Sequence, residues 1–196
     1  MKVNIKGLTD SRDTVNKWME RFGVRFGVYK KGTFKEQLFP FDSVPRIIPK
    51  NDWDYLETGL QQRVKALNMF LWDIYHDKKI IKDGIVPEEF VYSSKGYMPQ
   101  CEGICPTGKV YAHIAGIDLV EGKDGNWYVL EDNLRIPSGA SYPMIARKIT
   151  RKVSPSTFAD NAVADNRDYA DLLRDMMDDM NEERGISVIL TPGRYN

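Results

Sequence analysis

Three polar side chains in the stretch HIAGIDLVEGKDGNWYVLEDN could together hold a divalent cation. The Asp-Gly pair in this stretch is a strong signal for a two-residue hairpin turn. Counting outward from that turn places Asp118 directly opposite Glu131, and Gly116 opposite Asn133. Because side chains alternate between the two faces of a strand, Asp118, Glu131 and Asn133 should project from one face of the hairpin.

The same count, outward from Asp124-Gly125, sets the rest of the register. It pairs Leu119 with Leu130 and directs both leucines, like Ile117, into the core on the opposite face. A slip of one residue would exchange the two faces, so the predicted site depends on this register.

Two carboxylates that face each other on one side of a sheet repel each other, and a bound cation removes that cost. Carboxylate and carboxamide oxygens are hard ligands suited to Mg²⁺ or Mn²⁺. Magnesium in particular keeps open positions for water and phosphate oxygens. The hairpin therefore predicts a metal site at which the bound cation coordinates the phosphate oxygens of a nucleotide. A solvated acidic hairpin is the alternative that register alone leaves open.

The loop after the second strand carries candidate phosphate contacts. Arg135 could form a fork with phosphate oxygens, or it could pair with Asp132. Ser138 and Gly139 lie near the start of a helix predicted at 142–152, where backbone N–H groups favour anions.

Helices and short strands must position these residues. The predicted elements are a helix at 11–22, strands at 24–29 and 34–39, helices at 52–76 and 87–91, strands at 110–120 and 126–131, and helices at 142–152 and 169–180. Residues 93–108 are expected to form a loop and 154–166 an exposed linker. The methionine stripe of the last helix is expected to belong to a core.

The apolar run ISVIL at 186–190 is typical of a strand buried on both faces of a parallel sheet. Such a strand needs neighbours reached through long crossovers. We therefore expect the chain to be part of a longer protein, or to pair at 186–190 with another chain. That pairing could be self-association or contact with a missing C-terminal portion.

Composition excludes several classes of protein. The chain has 28 basic and 28 acidic residues among 196, so no overall field attracts nucleic acid or an anionic membrane. It contains no apolar run long enough to span a bilayer and no N-terminal signal peptide, so a cytoplasmic location is expected. Cys101 and Cys105 are too few for a disulfide framework, and with two histidines in the chain we expect ordinary reduced thiols.

VLEDNLRIPSG, preceded by HIAGIDLV, resembles the magnesium-binding strands of the ATP-grasp superfamily, in which an Asp on one strand is followed by Glu-x-Asn ending the next. The stretches PFDSVPRII, LQQRVKALNMFLWDIY, IIKDGIVP and ILTPGRYN are similar to its circularly permuted branch, which is related to glutathionylspermidine synthase. The resemblance runs from about Pro40 to Asn196.

The resemblance implies an α+β fold: an ATP-grasp-like antiparallel sheet with packed helices, ending in the first strand of a truncated α/β portion. It divides the chain into an N-terminal helix and hairpin (1–39), a metal-binding core (40–153), a linker and helix (154–185) and the start of the α/β portion (186–196). The adenine-clamping residues of the superfamily would lie in a remainder that follows.

The implied activity is an ATP-dependent ligase that joins a small-molecule or peptide carboxylate to an amine through an acyl phosphate. Asp118, Glu131 and Asn133 would hold Mg²⁺ or Mn²⁺, and Arg135 and Arg46 would contact phosphate or the reacting groups. Ser138 and Gly139 would contribute to ATP binding.

One departure from the superfamily pattern is Gly116, where many members carry an arginine. Two other functions remain open. The chain could be a non-catalytic fragment that docks onto a partner through 186–190. It could also be a metal-dependent phosphohydrolase that uses an activated water, although His113, the candidate base, is expected on the face opposite the carboxylates.

Overall fold

The computed structural model describes residues 5–181 and 185–190. The chain divides into two compact units: the first contains the described parts of 1–47 and 139–175, and the second those of 48–138 and 176–196. The mixture of helices with small antiparallel sheets is consistent with the α+β class predicted from the sequence. The four-segment division remains a prediction.

The elements of the described chain follow in order. They are α1 (Ile5–Asp10), α2 (Arg12–Arg21), β1 (Arg25–Lys30), β2 (Thr33–Leu38), α3 (Lys50–Tyr75), α4 (Lys79–Lys82), α5 (Glu88–Tyr92), β3 (Gly116–Glu121), β4 (Trp127–Asn133), α6 (Ser141–Val153), α7 (Pro155–Ala159) and α8 (Tyr169–Met180). Short 3₁₀ turns lie at Pro99–Cys101 and Thr107–Lys109. No helix of the described chain is long and apolar enough to cross a bilayer.

The core of the first unit forms where α2 packs against α6. Val15 and Met19 of α2 and Ile149 of α6 are fully buried together. The β1–β2 hairpin turns at Lys31 and Gly32, which both have positive φ, as a two-residue type I′ turn requires. Tyr142 links α6 to this hairpin, because its hydroxyl donates to the Arg25 carbonyl at 2.9 Å.

The second unit is organised by α3 and the loop between α5 and β3. Ile74 and Tyr75 at the end of α3 pack against Val91 of α5. The Tyr75 ring stacks on Tyr97 and Tyr111 at centroid distances of 5.2 and 5.4 Å. These aromatic contacts hold the loop 93–111 against α3.

Asn68, buried in the middle of α3, ties the next chain segment to the helix. Its Oδ1 accepts the backbone N–H groups of Tyr111 and Ala112, both at 2.9 Å. Its Nδ2 donates to the carbonyls of Val64 and Ala112, both at 3.2 Å. The backbone groups of this segment therefore bond to a side chain, and not to a neighbouring strand.

That bonding corrects one predicted element. The strand predicted at 110–120 begins only at Gly116, because residues 111 and 112 are held by Asn68. The exposed linker predicted at 154–166 is also partly wrong. It contains α7, and the hydroxyls of Ser154 and Thr157, both buried, share a hydrogen bond of 2.7 Å.

Helix α8 forms as expected, but no residue of it is buried, so the prediction that its methionine stripe is part of a core is wrong for the described chain. Residues 185–190 form no strand, and Ile186 and Leu190 are 93% and 92% exposed. Pairing of 186–190 with another chain or with a C-terminal portion stays a prediction. The end of the quoted ILTPGRYN stretch lies outside the described residues.

Candidate functional site

The β3–β4 hairpin brings the predicted metal ligands together in the predicted register. The strands pair antiparallel, with Asp118 opposite Glu131 and Gly116 opposite Asn133. Both carboxylates are exposed, and Asn133 is half-buried. The sequence-based pairing of these four positions is therefore confirmed.

The turn that closes the hairpin differs from the prediction. Gly122 donates its N–H to the Asn126 carbonyl at 2.7 Å, and Gly125 donates to Gly122 at 3.0 Å. Three residues, Lys123 to Gly125, form the loop in place of two. Gly125 has φ +77°, which suits a type I turn followed by a glycine bulge.

A bulge in β4 compensates for this extra loop residue. Leu119 pairs with Val129, and the register shifts between Asp118 and Leu119, which leaves Leu130 without a paired residue. Leu130 is 70% exposed, so its predicted place in the core is wrong. The longer turn and the bulge each shift the register by one residue, and together they restore the pairing of Asp118 with Glu131.

Side chains that alternate with the carboxylates face α3. Leu119, Trp127 and Val129 are half-buried and line a cleft with Leu60 and Ala66 of the helix. This contact gives the hairpin an apolar face toward α3 and leaves Asp118 and Glu131 on the other face, as the alternation of a strand predicts.

An ion pair that the sequence did not predict anchors β4 to α3. Arg63 donates from Nε and Nη2 to the two carboxylate oxygens of Asp132, at 2.7 and 2.6 Å. The hydrogen bonds from Arg63 lower the pKa of Asp132. The pairing of Arg135 with Asp132, left open above, is therefore wrong. Arg63 is 69 positions away in sequence, and only the fold brings it close.

The donor set suits a hard cation. The side chains of Asp118, Glu131 and Asn133 make no hydrogen bond or ion pair with any described residue, so their oxygens are available to a ligand. Within residues 5–181 and 185–190, no group of three or more His, Cys, Asp or Glu side chains is arranged to hold a metal ion. A metal bound here would therefore need the Asn133 carboxamide as its third protein ligand, a chemistry that fits Mg²⁺ or Mn²⁺.

Gly116 allows the following loop to lie against the hairpin. A Cβ at this position would meet the Pro137 Cβ at 3.0 Å and the Asn133 Cβ at 3.5 Å. The arginine that many superfamily members carry here would displace Pro137. The departure at Gly116 thus has a local physical reason, since the loop that carries Arg135 occupies the space.

The remaining predicted residues are divided between the two units. Arg135 and Ser138 are exposed in the second unit, and Arg135 makes no ion pair with a described residue. Gly139, with φ +94°, and the exposed Arg46 belong to the first unit. Their roles as catalytic or ATP-binding residues remain predictions.

A groove of about 1230 Å³ runs along α3 on the side away from the candidate ligands. Its lining includes Trp72 of α3, Ile117 of β3, and His113, which precedes β3. His113 therefore shares the side of Ile117 and not that of Asp118. This agrees with the expectation that it is badly placed to act as a base at the carboxylates.

The circularly permuted ATP-grasp type 2 family matches residues 45–196. That match covers more than half of the chain, in agreement with the motifs and with the paired strands that carry Asp118, Glu131 and Asn133. The chain belongs to this family.

Two uncharacterised relatives are much longer than this chain. It is 40% identical over 192 residues to an uncharacterised protein of Synechocystis sp., covering 96% of this chain and 40% of that protein. It is 46% identical over 165 residues to an uncharacterised protein of Mycobacterium tuberculosis, covering 83% of this chain and 30% of that protein. The chain thus spans two fifths or less of these relatives.

A third relative carries a functional name. It is a protein of Frankia casuarinae provisionally named glutamate–cysteine ligase 2-2, 49% identical over 117 residues. The match covers 60% of this chain and 14% of that protein. Glutamate–cysteine ligation joins a carboxylate to an amine, which is the reaction type of the ligases that the motifs resemble.

Proposed function

We propose that the chain is the metal-binding part of an ATP-dependent carboxylate–amine ligase. The observation that carries the proposal is the hairpin register, in which Asp118 lies opposite Glu131, and Asn133 lies two pairs along the ladder on the same face. Membership of the ATP-grasp family and the name of the Frankia relative support the same type of reaction.

Each candidate ligand has a role that follows from its chemistry. Asp118 and Glu131 supply the two negative charges that attract Mg²⁺ or Mn²⁺, and the Asn133 oxygen completes the protein ligands. A bound divalent ion would offset the charge that develops on ATP phosphates during phosphoryl transfer. Because neither carboxylate has a partner among the described residues, both are free to face a cation.

The cationic residues would act on the phosphates. Arg135 is exposed and follows β4 by two residues, so a phosphate oxygen near the metal ligands would lie within reach of its guanidinium. Ser138 and Gly139 would offer a hydroxyl and a backbone N–H to ATP ahead of α6. Arg46 is proposed as a further phosphate contact.

The substrates we propose are a small-molecule or peptide carboxylate and an amine, joined by way of an acyl phosphate. The Frankia name favours an amino acid on each side of the new bond. Because the chain spans at most 40% of the first relatives, we assign the full reaction to a longer protein and metal binding to this part.

The direct test is an Mn²⁺ titration followed by electron paramagnetic resonance, with and without ATP. We expect one bound Mn²⁺ per chain, and at least about tenfold weaker binding in Glu131→Gln because a charged ligand is lost. Glu88→Gln, which removes an exposed carboxylate in α5, is the matched control and should bind like the wild type. Equal losses in the two variants, or none in Glu131→Gln, would exclude the proposed site.

A further inference from the structure

Cys105 and His76 form a pair that the candidate metal site does not use. His76 follows the last residue of α3, and Cys105 lies in the loop between α5 and β3. The Cys105 Sγ lies 3.5 Å from the His76 Nε2. Cys105 is exposed, so reagents in solution can reach its sulfur.

The imidazole is fixed in one orientation and one tautomer. Its Nδ1 lies 2.9 Å from the Trp72 carbonyl, and a carbonyl only accepts, so Nδ1 carries the proton in neutral His76. The ring also stacks on Trp72, with centroids 3.8 Å apart and planes 12° apart. The lone pair of Nε2 is therefore directed at the thiol.

The loop that presents Cys105 is held at several points. The Gly103 N–H donates to the Tyr75 carbonyl at 2.9 Å, and the Tyr111 hydroxyl donates to the Ile104 carbonyl at 2.8 Å. Glu102 accepts hydrogen bonds from Tyr97 and Lys78. These contacts flank Cys105 and keep its sulfur beside His76.

The arrangement has the parts of an activated nucleophile: an acceptor that orients an imidazole, and an imidazole that accepts a thiol proton. A second acceptor of the thiol, the Gly103 carbonyl, lies 3.7 Å from the Cys105 Sγ, but a carbonyl cannot remove its proton. We infer that Cys105, activated by His76, is a nucleophilic thiol site that reacts with low-molecular-weight disulfides.

The chemistry is thiol–disulfide exchange. His76 Nε2 takes the thiol proton, and the Cys105 thiolate attacks one sulfur of the disulfide RSSR. A Cys105–S–SR bond forms while RS⁻ leaves and takes up the proton. The disulfide is the oxidant, and no other reactant is needed.

Cys101, four residues before Cys105 in the same loop, is the candidate thiol for resolving the mixed disulfide. It begins the tight turn before Cys105, closed by a hydrogen bond of 3.2 Å from the Ile104 N–H to the Cys101 carbonyl. Attack of the Cys101 thiol on the Cys105 sulfur would release RSH and leave a disulfide between the two cysteines.

The first experiment measures how fast each thiol of the whole chain reacts with 5,5′-dithiobis(2-nitrobenzoate) at pH 7. In Cys101→Ser, where only Cys105 remains, the native thiol should react at least about tenfold faster than in the same chain unfolded in urea. A native rate equal to or below the unfolded rate would overturn the inference without reliance on any histidine variant.

The second experiment tests His76 in the Cys101→Ser background. His76→Asn should slow the reaction by about tenfold, because the base is lost. His113→Asn changes the only other histidine of the chain and should leave the rate unchanged. Circular dichroism establishes that each variant is folded. Equal rates in folded His76→Asn and His113→Asn would overturn the role of His76.

The third experiment weighs the products by mass spectrometry. Wild type treated with one equivalent of reagent should lose two protons and retain no thionitrobenzoate, whereas Cys101→Ser should retain one adduct. Retained adduct on the wild type, with no internal disulfide, would overturn the resolving role of Cys101. None of these measurements depends on metal or ATP, so they fail or succeed independently of the proposed ligase function.

Discussion

Asp132 lies between two candidate metal ligands in sequence but belongs to the other face of the hairpin. Arg63 of α3 holds both of its carboxylate oxygens. Because side chains alternate along a strand, fixing Asp132 toward α3 directs Glu131 and Asn133 away from the helix. Arg63 is therefore expected to act as a positioning residue for the candidate ligands.

Replacing Arg63 should weaken metal binding without removing any ligand. We expect Arg63→Met to lower Mn²⁺ affinity by about tenfold, as loss of an orienting partner does at other metal sites. The Mn²⁺ affinity of Arg63→Lys should lie between those of the wild type and Arg63→Met, because a lysine keeps the positive charge but cannot make the two-pronged hydrogen bond to Asp132. Calorimetric titration would measure both.

Lys65→Met is the control for this series, since it removes a cation from the same exposed part of α3. It should bind Mn²⁺ like the wild type. Full affinity in Arg63→Met, with hairpin amide shifts unchanged, would contradict the positioning role.

Asn68 is the residue whose loss should cost most stability for its size. Asn68→Ala removes the acceptor of the backbone N–H groups of Tyr111 and Ala112. Because Tyr111 is half-buried and Ala112 is buried, both N–H groups would then lack a hydrogen-bond partner. We expect the free energy of unfolding in urea to fall by about 2–4 kcal/mol. Gln61→Ala, exposed on the same helix, should change it by less than about 0.5 kcal/mol. Similar values for the two variants would show that Asn68 does not hold the segment.

The turn of the β3–β4 hairpin depends on Asp124. Hydrogen bonds from the Tyr128 hydroxyl at 2.7 Å, and from the Asn126 side chain and backbone, lower the pKa of Asp124 to about 2 from an ordinary 3.8. A carboxyl with a lowered pKa in the folded state contributes stability that is complete above about pH 4 and is lost as pH falls toward 2.

Tyr128→Phe should therefore narrow the pH range over which the stability of the hairpin depends on Asp124. The pKa of Asp124 should rise toward 3.8, measured by nuclear magnetic resonance of the side-chain carboxyl. Asp165, whose pKa is also about 2 because of a hydrogen bond from Arg167, lies in the first unit and provides an internal control. An unchanged pKa of Asp124, or equal changes in the pKa values of Asp124 and Asp165, would show that the Tyr128 hydroxyl is not the main cause of the lowered pKa of Asp124.

Periodic helices were the elements that the sequence predicted best. The patterns at 11–22, 52–76, 142–152 and 169–180 correspond to α2, α3, α6 and α8 within about two residues at each end. The strand predicted at 110–120 differs from the structure, because β3 begins only at Gly116. The apolar stretch before Gly116 suits a strand, but the Asn68 side chain, 43 or 44 positions earlier, binds its backbone. A contact at that separation has no local signal.

The candidate site was predicted in its pairing but not in its geometry. The Asp-Gly pair correctly indicated a hairpin. The Gly122 to Asn126 hydrogen bond adds one residue to the loop on the β3 side, and the bulge at Leu130 adds one residue to β4. The sequence contains no signal that distinguishes the three-residue loop and the bulge from a simple two-residue turn. Arg63, Cys105 and His76 were missed because their partners are distant in sequence.

At the scale of the whole chain, the question is whether the stretch 186–190 contributes to the free energy of unfolding. Its side chains are exposed and unpaired within the described residues, although the sequence predicts a buried strand. We expect the double variant Ile186→Ser, Leu190→Ser to keep the free energy of unfolding within about 0.5 kcal/mol of the wild type. Ile149→Ala, at a fully buried position, should cost about 2–5 kcal/mol in the same assay. A loss in the double variant as large as in Ile149→Ala would mean that 186–190 is buried in solution.

Our central claim is the proposal that the β3–β4 hairpin holds the divalent cation of a carboxylate–amine ligase. The family match extends over 45–196, and the hairpin lies within it. The proposal concerns metal binding by this chain, which spans 40% and 30% of the length of the Synechocystis and Mycobacterium tuberculosis relatives.

The most direct measurement of that claim is the paramagnetic broadening of assigned backbone amides by Mn²⁺. Broadening should centre on Asp118, Glu131 and Asn133, disappear in Glu131→Ala, and extend to Arg135 when ATP is added. Broadening that is diffuse, or centred elsewhere in the chain, would contradict the claim that this hairpin is the metal site.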